Sequence, residues 1–541
     1  MKRLLIQMLV VCVSVPMLRA QVLIDDFIVN DPAANTRGLG RPAIAAHSSG
    51  GFAVAWQDFN DYNIPIAEQP RIAVQLFSAD ATPIGPTNLF HGESRLPLSI
   101  WTSDFLEPNP DIVFHPDGTL LVAVEHEGRL SIGSDDIGSA EVGLAVVLPT
   151  GQVLDASGSN TSGVILWLIS TKTQFQQRPR IAMAPSGDFF MTMDGLSFDT
   201  SFNAVLIQQF DTEGNFVGDF FNPHTSDPGP NSNHQFSDFA TNGITHVVIW
   251  QDDRQDGNWD ITAQFYNNSG EMGGNLRVNN GDAAGTINIW PSIAMNQSGN
   301  GVAVWADTRT GADGEIFGQL FNANGQAVAG NFQISAGHGE IMDRPEVAML
   351  IDGDFMVVWT DSMPGISGTS AFRARGRQFS ANATPVSEVF ILPNQDIASG
   401  VSNIATDGTS YYLTWRDDRR NETYLNMFAK KMAPFVTSVA TSDPGLPPRF
   451  ELFNAYPNPF NPSTTIQFAV PSQSKVTIKL FDLLGREVTT LIDEEYSPGE
   501  YELFFEAEGL TSGIYFYRII ATTSAGQTKA FVQTKKLTLL K

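Results

Sequence analysis

Trp290-Pro291-Ser292-Ile293-Ala294-Met295-Asn296-Gln297-Ser298-Gly299-Asn300-Gly301-Val302-Ala303-Val304-Trp305 reads as two short apolar strands joined by a glycine-containing turn. The polar loop after Trp305 leads to a third strand, Ile316-Phe317-Gly318-Gln319-Leu320-Phe321. Asn322-Ala323-Asn324-Gly325 then turns the chain into a fourth strand, Asn331-Phe332-Gln333-Ile334. The unit recurs. Its opening is repeated as Arg41-Pro42-Ala43-Ile44-Ala45, Arg178-Pro179-Arg180-Ile181-Ala182 and Arg344-Pro345-Glu346-Val347-Ala348. Trp250, Trp305, Trp359 and Trp415 follow one another at 55, 54 and 56 residues. Openings fall near residues 42, 110, 179, 238, 291, 345 and 402, so the repeat is counted seven times.

Four short strands per repeat, seven repeats and no useful stretch of helical periodicity predict an all-β chain built on a seven-bladed β-propeller over 21–433. The last repeat stops near Lys431, after its third strand. Ile24-Asp25-Asp26-Phe27-Ile28-Val29-Asn30 resembles the fourth strands Asn275-Leu276-Arg277-Val278-Asn279 and Asn331-Phe332-Gln333-Ile334-Ser335. It is therefore expected to complete the last blade and close the ring, which limits exposed sheet edges.

The flanks differ in character. Lys2 and Arg3 precede an apolar stretch from Leu4 to Leu18, and Leu18-Arg19-Ala20 ends it with a small residue, so 1–20 are expected to be a removable signal peptide. Cys12, the single cysteine, lies inside that stretch. A mature chain without it has no disulfide, cysteine metal site or cysteine nucleophile. No later segment is apolar for long enough to span a bilayer as a helix. Residues 434–449, with Pro444-Gly445 and Pro447-Pro448, read as a linker. Residues 450–541 alternate strand and turn, as in a small immunoglobulin-like β-sandwich. The net charge is −26, and residues 21–434 alone carry −27. So acidic a domain repels phosphate backbones, which excludes nucleic acid as a partner.

The last segment resembles the type IX secretion system C-terminal sorting domain of type A. The likeness rests on Tyr456-Pro457-Asn458-Pro459-Phe460-Asn461-Pro462, on Val476 to Arg486, on Gly509-Leu510-Thr511-Ser512-Gly513-Ile514-Tyr515, and on the tail Lys535-Lys536-Leu537-Thr538-Leu539-Leu540-Lys541. It covers nearly all of 450–541. The resemblance implies export through the periplasm of a Gram-negative bacterium and recognition by an outer-membrane translocon. It also implies a surface protease that removes the domain, and frequent attachment of the cargo to lipopolysaccharide. Gly485, Gly513, Lys535, Lys536 and Lys541 are the expected sorting-signal residues, with both glycines expected at turns that need positive φ. The repeat region matches no named family.

Chemistry is harder to place. Trp-x-Asp recurs at Trp56, Trp250, Trp305, Trp359 and Trp415, extended to Arg254, Arg309 and Arg419 in three copies. A regularly repeated motif suits packing better than one asymmetric catalytic site: Trp between blades, Asp paired with Arg or capping a turn. The loops after these tryptophans are long and polar, and function tends to sit on long loops held by a rigid scaffold. Trp259 is expected to stack on a sugar ring, with Asp252, Arg254, Asp256, Asp307 and Arg309 hydrogen-bonding its hydroxyls. Asp253, Asp256 and Asp260 offer carboxylate oxygens to a calcium ion, although their spacing matches no EF-hand or glycine-rich calcium repeat. No other cofactor is expected. No His-Glu-x-x-His, Gly-x-Ser-x-Gly or phosphate-binding loop occurs, so no catalytic residue is assigned. The sequence reads as an exported propeller that binds a glycan or a surface protein. The alternative is a carbohydrate-active hydrolase or lyase, which needs only two suitably placed carboxylates.

Overall fold

The computed structural model describes residues 22–30, 38–59, 71–90, 110–132, 135–154, 167–169, 173–197, 203–223, 232–254 and most of 257–435, together with most of 450–540. The signal region, most of the linker, Asp256 and Lys541 lie outside the described residues. The chain forms two compact units, which divide near Thr437. Among the described residues every regular element is a strand, so no helix is long and apolar enough to cross a membrane.

The larger unit holds seven small antiparallel sheets, numbered here by chain order. Their first strands include Ala43–Ala46, Asp111–Phe114, Thr173–Met183, His234–Thr241, Asn288–Met295, Glu346–Met349 and Ser399–Thr406. Sheet 5 shows the plan: Asn288–Met295, Gly301–Asp307, Glu315–Phe321 and Ala327–Gln333 pair in sequence order. The turn between its first two strands is closed by the Gly299 N–H donating to the Asn296 carbonyl at 2.9 Å, with Gly299 at φ 83°. Only glycine takes that conformation without strain. The first strands neighbour one another in order, and the first strand of sheet 7 lies beside that of sheet 1.

Sheet 7 takes its fourth strand from the other end of the described chain. Val22–Ile28 pairs antiparallel with Asn426–Met432, two residues earlier than the stretch expected from sequence. The tryptophans explain how the sheets adhere. Trp56, Trp250, Trp305, Trp359 and Trp415 are almost wholly buried. Each packs against residues of the preceding sheet: Trp250 against Val205 and Ile207, Trp305 against Val247 and Ile249, Trp359 against Val302 and Val304, Trp415 against Met356 and Val358. Trp56 of sheet 1 packs against Tyr412 and Met427 of sheet 7, which carries the pattern round the cycle.

Residues 451–539 form a three-stranded sheet (Glu451–Leu452, Ser463–Val470, Gly499–Glu506) and a four-stranded one (Glu487–Tyr496, Ser474–Phe481, Gly513–Thr523, Phe531–Leu539). Both alternate inward and outward side chains. Ile466 and Phe468 of one sheet share a core with Val476, Ile478, Leu480, Tyr517 and Ile519 of the other.

Candidate functional site

The first strands do not run smoothly. In sheets 3, 4, 5 and 7 the pairing with the second strand slips by one residue, between Gln177 and Arg180, Gln235 and Asp238, Ile289 and Ser292, and Gly400 and Asn403. Each slip holds a non-glycine residue at positive φ: Arg178 (53°), Phe236 (56°), Trp290 (59°) and Val401 (48°). Such bulges bend a strand and re-aim its side chains, and a left-handed non-glycine residue persists only where its surroundings enforce it. Arg41 and Arg344 occupy the matching positions of sheets 1 and 6. In sheets 3, 4, 5 and 7 one backbone device thus presents four different side chains, which is the asymmetry a binding site needs.

Two residues further along, the matching positions hold Ala43, Asp111, Arg180, Asp238, Ser292, Glu346 and Asn403, and several of them tie sheets together. Glu346 Oε1 accepts from Arg180 Nη2 at 2.8 Å and Arg41 Nη2 at 3.2 Å, while Ser292 Oγ donates to its Oε2 at 3.2 Å. Arg41 also pairs with Asp343 at 3.0 Å, and Arg344 with Asp238 at 3.2 Å. Arg180 lies 3.8 Å from Asp111. Asp111 and Asp238 each accept a backbone N–H of the next sheet, from Ile181 at 2.8 Å and Ile293 at 2.9 Å. This network joins sheets 1 to 6. Burial disfavours the Glu346 carboxylate, but Arg180, Arg344 and Arg41 outweigh it and hold its pKa down at about 2. Burial lowers Arg344 to about 10, with Arg180 adding to the shift. Asp111 is pushed up to about 6 by burial, against the pull of Arg180.

Above the network is a shallow cavity of about 30 Å³, bordered by Arg41, Arg178, Arg180, Phe236, Arg344 and Asn403. A cavity of that size holds roughly one or two waters. Arg178 is the most open of the charged groups there, at 26% exposure. Its guanidinium donates to Asp194 Oδ2 at 2.7 Å and lies 4.1 Å from the centre of the Phe236 ring.

The residues expected to bind sugar hydroxyls are occupied with one another. Buried Asp252 accepts from Arg254 at 2.7 and 3.0 Å, and Arg254 reaches on to Asn275. Buried Asp307 accepts from Arg309 at 2.8 Å and from the Trp305 indole at 3.1 Å. The indole–carboxylate bond recurs from Trp359 to Asp361 and from Trp415 to Asp417. In sheet 4 Trp250 donates to His234 instead. In sheets 5, 6 and 7 the motif is therefore a brace at the end of the second strand. Trp259 is half-buried, and its carbonyl accepts the Asn288 N–H. Asp253 accepts from Asn233, and Asp260 from Arg277 and Asn279. Among the described residues no group of three or more His, Cys, Asp or Glu is placed to hold a metal ion.

Sequence reading did not find the ionic network. Its signal was present in the charged residues Arg180 and Glu346, which stand at the openings of otherwise apolar strands. Their partners lie in repeats far along the chain, and so were invisible.

In the smaller unit Gly485 sits in the turn after Phe481 at φ 79°, its N–H donating to the Asp482 carbonyl at 3.0 Å. The expectation for Gly513 is corrected. It opens the strand Gly513–Thr523 without positive φ, and the left-handed residue of that turn is Gly509 at φ 83°. Lys535 and Lys536 lie on the edge strand Phe531–Leu539, opposite Tyr517 and Phe516.

Residues 454–533 match the family model of the secretion system C-terminal sorting domain. The protein is therefore exported across the Gram-negative envelope to the cell surface or the medium, and its tail engages the secretion machinery. No curated protein matches the chain. Among solved structures, polysaccharide lyase Uly1 is similar at TM-score 0.47 and 10% identity, covering 78% of this chain and 95% of that one. A polysaccharide lyase described as an ulvan lyase gives TM-score 0.46 and 11% identity over 73% and 94%. An α-L-arabinanase of Penicillium chrysogenum gives 0.38 and 10% over 76% and 98%. Identity and TM-score are both too low for the activities of these proteins to carry over.

Proposed function

We propose that residues 22–435 form a seven-bladed β-propeller which, after a signal peptide and an immunoglobulin-like sorting domain have taken it out of the cell, binds a glycan across the mouth where its first strands begin. The observation that carries this reading is the set of bulges there. They set the Arg178 guanidinium 4.1 Å from the Phe236 ring at the cavity and put Trp290 at the matching position of the next sheet, all three part-exposed. Aromatic faces suit the apolar faces of sugar rings, and an arginine fork suits a carboxylate or sulfate on the same chain. The cavity is too small for a whole ring, so the glycan lies across it. Trp259 belongs to the same side of the unit, since second strands end where first strands begin.

Binding is favoured over catalysis because Glu346, Asp238 and Asp343 are all held in ion pairs. Asp111 favours the alternative, a hydrolase or lyase: it is near the mouth, with a pKa of about 6. Its Oδ2, however, already accepts the Ile181 N–H. The test is a glycan array probed with the exported chain, together with assays for polysaccharide cleavage. Arg178→Ala and Trp290→Ala are each expected to weaken binding at least about tenfold, the loss of one well-placed contact. Asn324→Trp, on the opposite turns, is expected to change nothing. Cleavage of a bound polysaccharide that stops in Asp111→Asn would replace this reading with the enzymatic one.

Export is tested separately. Deleting residues 535–541 removes most of an edge strand that carries Leu537 and Leu539, both in the core of the sorting domain. The deleted protein is expected to accumulate in the periplasm, read by cell fractionation. Undiminished delivery to the surface or medium would contradict a sorting role for the tail.

A further inference from the structure

A second cavity, of about 310 Å³, opens between sheets 3 and 4 on the side of the short turns, away from the mouth. Its walls are Phe190, Phe221, Phe239 and Tyr266. Phe190 and Phe239 stack with centroids 4.8 Å apart, and Phe221 meets Tyr266 edge-on at 5.6 Å. Its polar groups are Gln209, His246, Asn267 and Asn268, and among the described residues no Lys, Arg, Asp or Glu borders it. The volume is at the low end of small-molecule sites, about 300–1,000 Å³, which are mostly aromatic with a few placed polar groups.

The cavity arises from a departure in the repeat. The second residue of each second strand faces a partner on the third strand. In sheets 2 and 5 those pairs are the aliphatic Leu121–Val146 and Val302–Leu320. In sheet 3 the pair becomes Phe190–Gln209, while sheet 4, whose second strand starts one residue earlier in the repeat, pairs His246 with Tyr266 one step nearer the turn, and all four residues line the cavity. Burial lowers the pKa of His246, which keeps it uncharged at neutral pH, and its Nδ1 lies 2.7 Å from Thr241 Oγ1. Tyr266 Oη is buried and makes no hydrogen bond among the described residues. A buried hydroxyl left unpaired costs stability, so its retention asks for a reason. The fourth strand of sheet 3, Phe216–Phe221, adds the exposed Phe221 to the lining.

We infer that this inter-sheet cavity is a binding site for one uncharged sugar residue, separate from the mouth. The exposed Phe221 ring, on an aromatic floor of Phe190 and Phe239, suits the face of a pyranose. The amides, the imidazole and the Tyr266 hydroxyl match its ring of hydroxyls. An alkyl chain would displace water from those groups without replacing its hydrogen bonds, and an acidic sugar would find no cation. The inference does not depend on the reading of the mouth.

The test is saturation-transfer NMR on the full chain with the methyl glycosides of glucose, galactose, mannose and xylose, with methyl glucuronide and phenol as comparators. At least one neutral glycoside is expected to bind, and the glucuronide less well than its glucose counterpart. Phe221→Ala, at a part-exposed edge position, is expected to abolish the signal. Tyr266→Phe is expected to weaken binding about five- to tenfold, the worth of one hydrogen bond, without lowering the melting temperature. Asp352→Asn, on an exposed turn of sheet 6 outside the cavity lining, is expected to leave it unchanged. The inference is overturned if no neutral glycoside binds, if phenol or the glucuronide binds better than every neutral glycoside, or if binding survives both Phe221→Ala and Tyr266→Phe. Loss of the signal in Trp290→Ala would also overturn it, by moving the sugar to the mouth.

Discussion

A chain beginning at Arg37 is expected to unfold well below one beginning at Gln21, by at least about 5 kcal/mol, because it lacks the strand that completes sheet 7. The expected size follows from what Val22–Ile28 and the two residues after it contribute. The strand pairs with Asn426–Met432. Phe27 packs edge-on against Phe52 and Phe77 of sheet 1, and Val29 is buried beside Met427 and Ala429. Burying two or three such side chains is worth about 1.5–3 kcal/mol each. Asn30 adds a buried hydrogen bond, its Oδ1 accepting the Met427 N–H at 2.7 Å. Without them the strand Asn426–Met432 is left as an open edge, a template for aggregation. Tyr412, which donates to the Gly50 carbonyl, would still link sheets 7 and 1. Thermal unfolding of the two chains measures the effect. A synthetic peptide of residues 21–36 added to the shorter chain is expected to recover part of the loss. Equal melting temperatures would show that the strand is dispensable, and with it the count of seven blades.

That closure was legible because it is written in local patterns. The missing fourth strand after Lys431 and the spare strand at the start share one alternation, and the tryptophans keep a period that a reader can count. Strand pairing follows such patterns closely, and the observed strand differs from the expected one by two residues. The Trp-x-Asp motif was legible as a repeated packing device for the same reason. Its partners lie within the same repeat, as when Arg309 folds back on Asp307. The bulges were not legible. Arg178, Phe236, Trp290 and Val401 give no local sign of positive φ, since glycine is the usual marker. The mouth was equally hidden. Arg41 and Glu346 are 305 residues apart, and nothing near either of them names the other. In the expected sugar-binding set, Asp252 pairs with Arg254 and Asp307 with Arg309, which a polar loop does not announce. Their short mutual spacing instead lets them satisfy one another. Sequence periodicity thus specified the scaffold, whereas the residues that differ between repeats acquire their neighbours only when the sheets pack together.

Glu346→Gln is expected to be the most damaging single substitution in the network, costing about 3–5 kcal/mol at neutral pH, the range for breaking a buried ion pair from one side. Glu346 is the acceptor that Arg41, Arg180 and Ser292 share from three other sheets. The glutamine keeps the shape but removes the charge that offsets three buried guanidinium groups. The acid dependence separates this account from simple packing. The folded pKa of Glu346, about 2, is below its ordinary value of 4.5. Its contribution is therefore fully present above about pH 5 and is lost as pH falls from 4.5 through 2. Asp111 acts in the opposite sense. Its folded pKa of about 6 exceeds its ordinary 3.8. Its burial therefore costs stability above pH 6, and the cost is relieved as pH falls from 6 to 4. Urea unfolding of wild type and Glu346→Gln at pH 7, 5 and 3 should show a constant gap between the first two and a narrower one at pH 3. Asp111→Asn should show the reverse trend, with its relative stability best at pH 7. A Glu346→Gln variant as stable as wild type at all three pH values would mean the side chain serves by shape alone. The arginines would then owe their charge to Asp111, Asp238 and Asp343.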